Sequence, residues 1–197
     1  MSASRLVIGA LLGALLLTGC TGEDVGLPGP TKVEVDTPKL VAMKAEAGIE
    51  DCEPGPGGGS LPDLTLPCLG GGPDVNLADL KGPLIVNVWY SNCGPCQDEM
   101  PAFQDFYADH GDQVGVLGLD VEIYPDLAIS FAQTVGATYP QLADPGGEIL
   151  DQADIRVPGF PQSIVLDEDG RIVHQFGPVT SEDEIVDLAE KYLEVDL

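Results

Sequence analysis

The sequence predicts an α/β domain: a mixed central sheet flanked by helices, with a β-hairpin added before it. Three observations carry this. Residues 83–90 read Pro-Leu-Ile-Val-Asn-Val-Trp-Tyr, an apolar, β-rich run suited to a strand buried on both faces. Directly after it, Met100, Phe103, Phe106 and Tyr107 recur at helical spacing. Later, two β-rich runs flank Glu168-Asp169-Gly170, which is a hairpin signal. Strand, helix and strand followed by an antiparallel hairpin give a sheet of mixed direction.

The chain of 197 residues suits one domain of ordinary size plus appendages, and 44% hydrophobic content is enough for a core. Its charge is one-sided: 33 acidic against 8 basic residues give −25. Nucleic acid and anionic membrane surfaces would both repel such a chain. The acidic balance favours solubility and leaves room for basic partner proteins.

In chain order, residues 1–19 read as a signal peptide and stand outside the fold. Arg5 is their only charge, and the apolar run over 6–17 is 12 residues long. That is short of the roughly 20 residues needed to cross a bilayer. The ending Leu17-Thr18-Gly19-Cys20 resembles the lipobox of bacterial lipoproteins. The resemblance implies lipidation at Cys20 and anchoring on the extracytoplasmic face of the cell membrane, since two or more acyl chains hold stably where one does not. Ordinary secretion with Cys20 as a free thiol is the competing reading. Residues 20–59 read as a tether containing one short helix, opened by Thr37-Pro38 and closed by Gly48, with Leu40, Val41, Met43 and Ala47 as its apolar face. The domain proper spans 60–197. Short alternating runs at 61–68 and 75–80, separated by Gly70-Gly71-Gly72, look like the added hairpin.

The run 113–121 is a second buried strand, and 125–135 is helical with Leu127, Ile129, Phe131 and Val135 on or near one face. A short helix is expected over 148–154. The last helix, from about Ser181, opens with a capping box of Ser181 and Glu184 and buries Ile185, Leu188, Ala189 and Tyr192. No internal repeat is present.

The chemistry sits between the first buried strand and its helix, at Cys93-Gly94-Pro95-Cys96. A cysteine at a helix N-terminus meets unpaired N–H groups and the positive end of the helix dipole, both of which stabilise a thiolate. The second cysteine lies within reach and can close a disulfide. Half of a zinc site is the competing reading, but a second paired ligand set is missing from the sequence.

Trp89, the Cys-Gly-Pro-Cys run, Glu99 and Pro101 together resemble the thioredoxin superfamily, and Gln97-Asp98-Glu99-Met100-Pro101 is similar to its extracytoplasmic TlpA/ResA-type branch. The resemblance covers about residues 60 to 195 and implies the thioredoxin fold. It implies a thiol-disulfide oxidoreductase without cofactor or metal, exchanging disulfides with exported proteins and recharged by a membrane redox partner. Apocytochrome c reduction in cytochrome c maturation is the family's commonest work. A monomer is expected. The resemblance makes Cys93 the nucleophile and Cys96 the resolving thiol. It gives Glu99 management of their proton, and Pro161 of the Gly159-Phe160-Pro161 loop a cis bond packed against the disulfide. Cys52 and Cys68, outside the motif in an exported protein, are expected as a structural disulfide; a second redox pair feeding Cys93 and Cys96 is the sharper alternative.

Three residues depart from the family. Asn92 stands where Trp is usual, Tyr90 where a small residue is usual, and Asn87 where classical thioredoxins bury an Asp. Glu99 is then left as proton acceptor. His110 and His174 keep a copper-binding metallochaperone of the same fold in view, and a peroxiredoxin-like peroxidase is a third reading.

Overall fold

Local signals set the element ends in the computed structural model, which describes residues 33–153 and 155–197. The expected signal peptide, Cys20 and the start of the tether lie outside the described residues. Helix α1, Pro38–Ala47, begins where Thr37 Oγ1 accepts the Leu40 N–H at 3.4 Å and ends at Gly48, which takes φ +72°. Of its expected apolar face, Leu40, Met43 and Ala47 pack on the core and Val41 does not. Leu40 and Lys44 are buried while Val41 is exposed, because α1 packs against a neighbouring helix and a loop that both come from later in the chain.

Strands β1 (Thr65–Leu66) and β2 (Val75–Asn76) form a small antiparallel pair. The main sheet holds β3 (Leu84–Trp89), β4 (Gly115–Asp120), β5 (Gln141–Ala143), β6 (Gln162–Leu166) and β7 (Ile172–Phe176) in the order β5-β4-β3-β6-β7. Pairing is parallel from β3 through β4 to β5 and antiparallel from β3 through β6 to β7. Between these strands lie α2 (Gly94–His110) and α3 (Pro125–Val135), and α4 (Glu182–Leu193) closes the chain. This is a mixed sheet flanked by helices, the thioredoxin-like fold. The short helix expected over 148–154 is a 3-10 turn at Glu148–Asp151, capped by the Asp144 carboxylate, which accepts the Glu148 and Ile149 N–H groups at 2.9 Å each.

Side chains of β3 alternate between two cores, as a strand's period of two requires. Ile85 and Trp89 join one cluster, which takes the buried apolar residues of all four α-helices. Val86 and Val88 join the other, with Leu66, Val75, Leu77 and Ile149. Asn87 falls on the helical side. In α3 the buried residues are Ala128, Ile129 and Ala132, with Leu127 half exposed: small side chains let the helix approach closely.

Gln141 folds back across β4, and a side chain at position 118 would displace its amide, so Gly118 makes room for it. From there Gln141 Oε1 accepts the Trp89 indole N–H at 3.0 Å. The outer side of β5 is also engaged. The Leu69 N–H bonds the Gln141 carbonyl at 2.8 Å, and the Ala143 N–H bonds the Pro67 carbonyl at 2.9 Å, pairing Cys68 opposite Leu142.

Candidate active site

Strand β3 delivers the chain through Tyr90, Ser91 and Asn92 to Cys93, the N-cap of α2. The turn is braced on both sides. The Ser91 N–H donates to Glu122 Oε2 at 3.1 Å, and Gln97 Nε2 donates back to the Ser91 carbonyl at 2.7 Å. Cys93 and Cys96 are joined by a disulfide. Cys93 Sγ accepts the Cys96 backbone N–H at 3.2 Å, so one of the helix's unpaired donors already points at the first sulfur. Cys93 is 4% exposed and Cys96 is fully buried; the first sulfur has the shorter way out, though by a narrow margin.

Glu99, three residues beyond Cys96 and on the same side of the helix, is fully buried. Its Oε1 accepts from Asn87 Nδ2 at 2.7 Å, and its Oε2 accepts the Val179 N–H at 3.2 Å. Burial pushes its pKa up to about 7 against the opposing pull of these two bonds. A carboxyl so placed can hold or release a proton near neutral pH. Asn87 Nδ2 also reaches Ser163 Oγ at 3.1 Å, tying the pair to β6. Ser163 and Val179 carried no signal in the sequence, because only the sheet register and the approach of the segment before α4 bring them here.

The Phe160–Pro161 peptide is cis and Pro161 is buried. Phe160 meets Tyr90 edge-on, ring centroids 5.1 Å apart. The loop before β6 and the turn before Cys93 therefore share an aromatic contact, made by the Tyr90 that departs from the family pattern. Cys52 and Cys68 form the second disulfide.

The histidines lie elsewhere. His110 ends the helix that Cys93 begins, about 25 Å along a 17-residue helix, and faces Glu182 at 3.7 Å. His174 is stacked on Tyr192, centroids 3.8 Å apart. Among the described residues neither joins the cysteine pair in a group of three side chains placed to hold a metal. A further buried acid, Asp120 at the end of β4, has its pKa raised well above the usual carboxylate range by desolvation; Oδ1 accepts the Glu122 N–H while Oδ2 has no partner.

A family model described as the AhpC/TSA family matches residues 58–175. The chain belongs to the AhpC/TSA family. Among its relatives, the thioredoxin-like protein YneN of Bacillus subtilis is 32% identical over 133 residues, 66% of this chain and 72% of that protein. The thiol:disulfide interchange protein HelX of Rhodobacter capsulatus is 33% identical over 129 residues, 64% of this chain and 70% of that one. The thiol-disulfide oxidoreductase ResA of Bacillus thuringiensis is 32% identical across 53% of this chain and 60% of its own length. A DsbF homologue from Corynebacterium diphtheriae superposes with a TM-score of 0.57 at 25% identity, covering 66% of this chain and 85% of that one. This AhpC/TSA-family chain is a thiol-disulfide oxidoreductase of thioredoxin-like fold.

Proposed function

We propose that the chain exchanges disulfides with exported proteins through Cys93 and Cys96, on the extracytoplasmic side of a bacterial membrane, lipid-anchored at Cys20 and recharged by a membrane redox partner. The observation that carries the exchange chemistry is the first sulfur at the N-cap of α2, accepting a backbone N–H, with a buried carboxyl of pKa about 7 one turn beyond the second cysteine; the anchor rests on the Leu17-Thr18-Gly19-Cys20 run alone.

In the reduced protein the Cys93 thiolate attacks one sulfur of a substrate disulfide. A bond forms between Cys93 and that sulfur, the substrate bond breaks, and the electron pair leaves on the second substrate sulfur. Cys96 then gives up its proton and attacks Cys93 Sγ, releasing the substrate dithiol and leaving the Cys93–Cys96 disulfide. Glu99 is the acceptor for that proton. Being about half ionised near pH 7 suits it to take the proton on one pass and return it on the next. Pro161 and the backbone of Phe160 form the wall along which the substrate lies. HelX and ResA are named for interchange and oxidoreductase activity, and the same work in cytochrome c maturation is our reading for this chain.

Mixed-disulfide trapping tests it. Cys96→Ser should leave exported proteins covalently attached to Cys93 after exposure to cell-envelope extract, released by dithiothreitol. An absence of such adducts, with the variant folded and Cys93 alkylatable, would overturn the proposal.

A further inference from the structure

The two sulfurs of the second disulfide have unlike neighbours. Cys68 Sγ receives two donors: Lys44 Nζ at 3.4 Å and the Cys52 backbone N–H at 3.2 Å. Cys52 Sγ instead lies 3.2 Å from a carbonyl oxygen, that of Gln141. A neutral disulfide gains little from this arrangement, but a separated pair gains much. A thiolate at Cys68 would be met by an ammonium and an amide N–H, and a thiol at Cys52 would find an acceptor for its proton.

Lys44 is the one buried basic side chain among the described residues. Its remaining contacts are Asp51 Oδ1 at 2.7 Å and the Gly71 carbonyl at 2.6 Å. The Asp51 side chain is 77% exposed, so water screens part of its competing negative charge. A buried ammonium whose only anion is solvated is under-compensated, and an anion at Cys68 would complete it.

We propose that Cys52–Cys68 is a second reducible disulfide, opened by dithiols, in which Cys68 departs as a thiolate held by Lys44 and Cys52 becomes the protonated thiol. One thiolate of the dithiol attacks Cys52 Sγ. The Cys52–Cys68 bond breaks and its electron pair goes to Cys68. The second thiol of the donor, losing its proton, attacks the donor sulfur bound to Cys52. The donor leaves as a disulfide, two electrons have entered the protein, and one of the two donor protons stays on Cys52 while the other goes to water. Both cysteines are buried, at 2% and 1% exposure, and Gly72 lies so close that a side chain there would press on Cys68 Sγ. This cover slows exchange; the equilibrium is governed by Lys44.

The test is an equilibrium titration of the full chain carrying Cys93→Ser and Cys96→Ser, so its outcome is independent of the role proposed for that pair. The protein is held in dithiothreitol buffers of graded reduced-to-oxidised ratio, acid-quenched, alkylated and read peptide by peptide. Cys52 and Cys68 should become labelled together while circular dichroism still shows the folded protein. Lys44→Met should require at least a tenfold more reducing ratio, and Lys44→Arg should restore it to within about threefold. Asp51→Asn, an exposed change, should shift the midpoint the other way and decides the matter if Lys44→Met does not fold. A bridge that opens only on unfolding, or a midpoint indifferent to these substitutions, would overturn the proposal.

Discussion

Asn87 Nδ2 donates to Glu99 Oε1 at 2.7 Å, so the strand entering the cysteine motif and the helix leaving it share a buried hydrogen bond. The bond favours the ionised carboxylate, and desolvation disfavours it more strongly. The departure at position 87 therefore has a physical role: an amide beside Glu99 lets one carboxyl ionise where two would contend for a proton.

Stability should carry the mark of Glu99. Its pKa rises from 4.5 to about 7 in the fold, so between these values the native state binds more protons than the unfolded one. Stability contributed by the protonated form is present below about 4.5 and lost as pH rises through 7. The stability difference between wild type and Glu99→Gln should shift against wild type by up to about 3 kcal/mol from pH 4.5 to pH 8. Urea denaturation at the two pH values measures it, and a difference flat with pH would refute the assignment.

Asn87→Asp should place two carboxyls at hydrogen-bond distance in a buried site. They would share one proton near neutrality, and the variant should lose thermal stability steeply above pH 7 while remaining close to wild type at pH 5. Thermal melts across that range check the slope.

Alkylation of the reduced protein should label Cys93 before Cys96 at mildly acidic pH, since a thiolate at the helix N-terminus titrates below the free value of about 8.5. Glu99→Gln should alter the pH dependence of the resolving step at Cys96. Cys96 reacting first would reverse the assigned roles, as peptide mass spectrometry would reveal.

Removing the second bridge altogether, with Cys52→Ala and Cys68→Ala, should destabilise the fold by about 3 kcal/mol, the loop-closure value for a separation of 16 residues. Disulfide exchange at Cys93 and Cys96 should persist in the folded variant. Loss of turnover there, measured by insulin reduction, would make the bridge an obligatory relay.

Cys20→Ala should release the protein from the membrane fraction or leave it unprocessed. Intact mass of the native protein settles the point: an unmodified Cys20 on a fully soluble chain would end the lipoprotein reading.

The parts legible in the sequence are those whose causes are local. The run from β3 through Cys93 into α2 declares itself by an apolar strand, a Pro at the helix start and helical apolar spacing. The turn at Glu168-Asp169-Gly170 is set by Asp167, whose carboxylate accepts the Asp169 and Arg171 N–H groups at 3.0 and 2.8 Å. Even the capping box of α4 is only half as expected: Ser181 Oγ accepts the Glu184 N–H, but Glu184 reaches Thr180 instead of Ser181. Burial of charged groups was not legible. Glu99 and Lys44 are types usually found in water, and the partners each meets inside are distant in sequence: Asn87 and Val179 for one, Cys68 and Gly71 for the other.

The pairing of Cys68 opposite Leu142 bears on how the protein behaves in crowded solution. An open strand rim invites another chain to add to it, the first step of aggregation. Here the molecule's own backbone occupies that rim of β5, and the covalent tie to Cys52 holds the guard in place. Cutting the tie would remove the covalent part of that guard and leave its backbone bonds to β5, the Gly70 N–H on the Val35 carbonyl at 2.8 Å and the buried Leu69 to hold it.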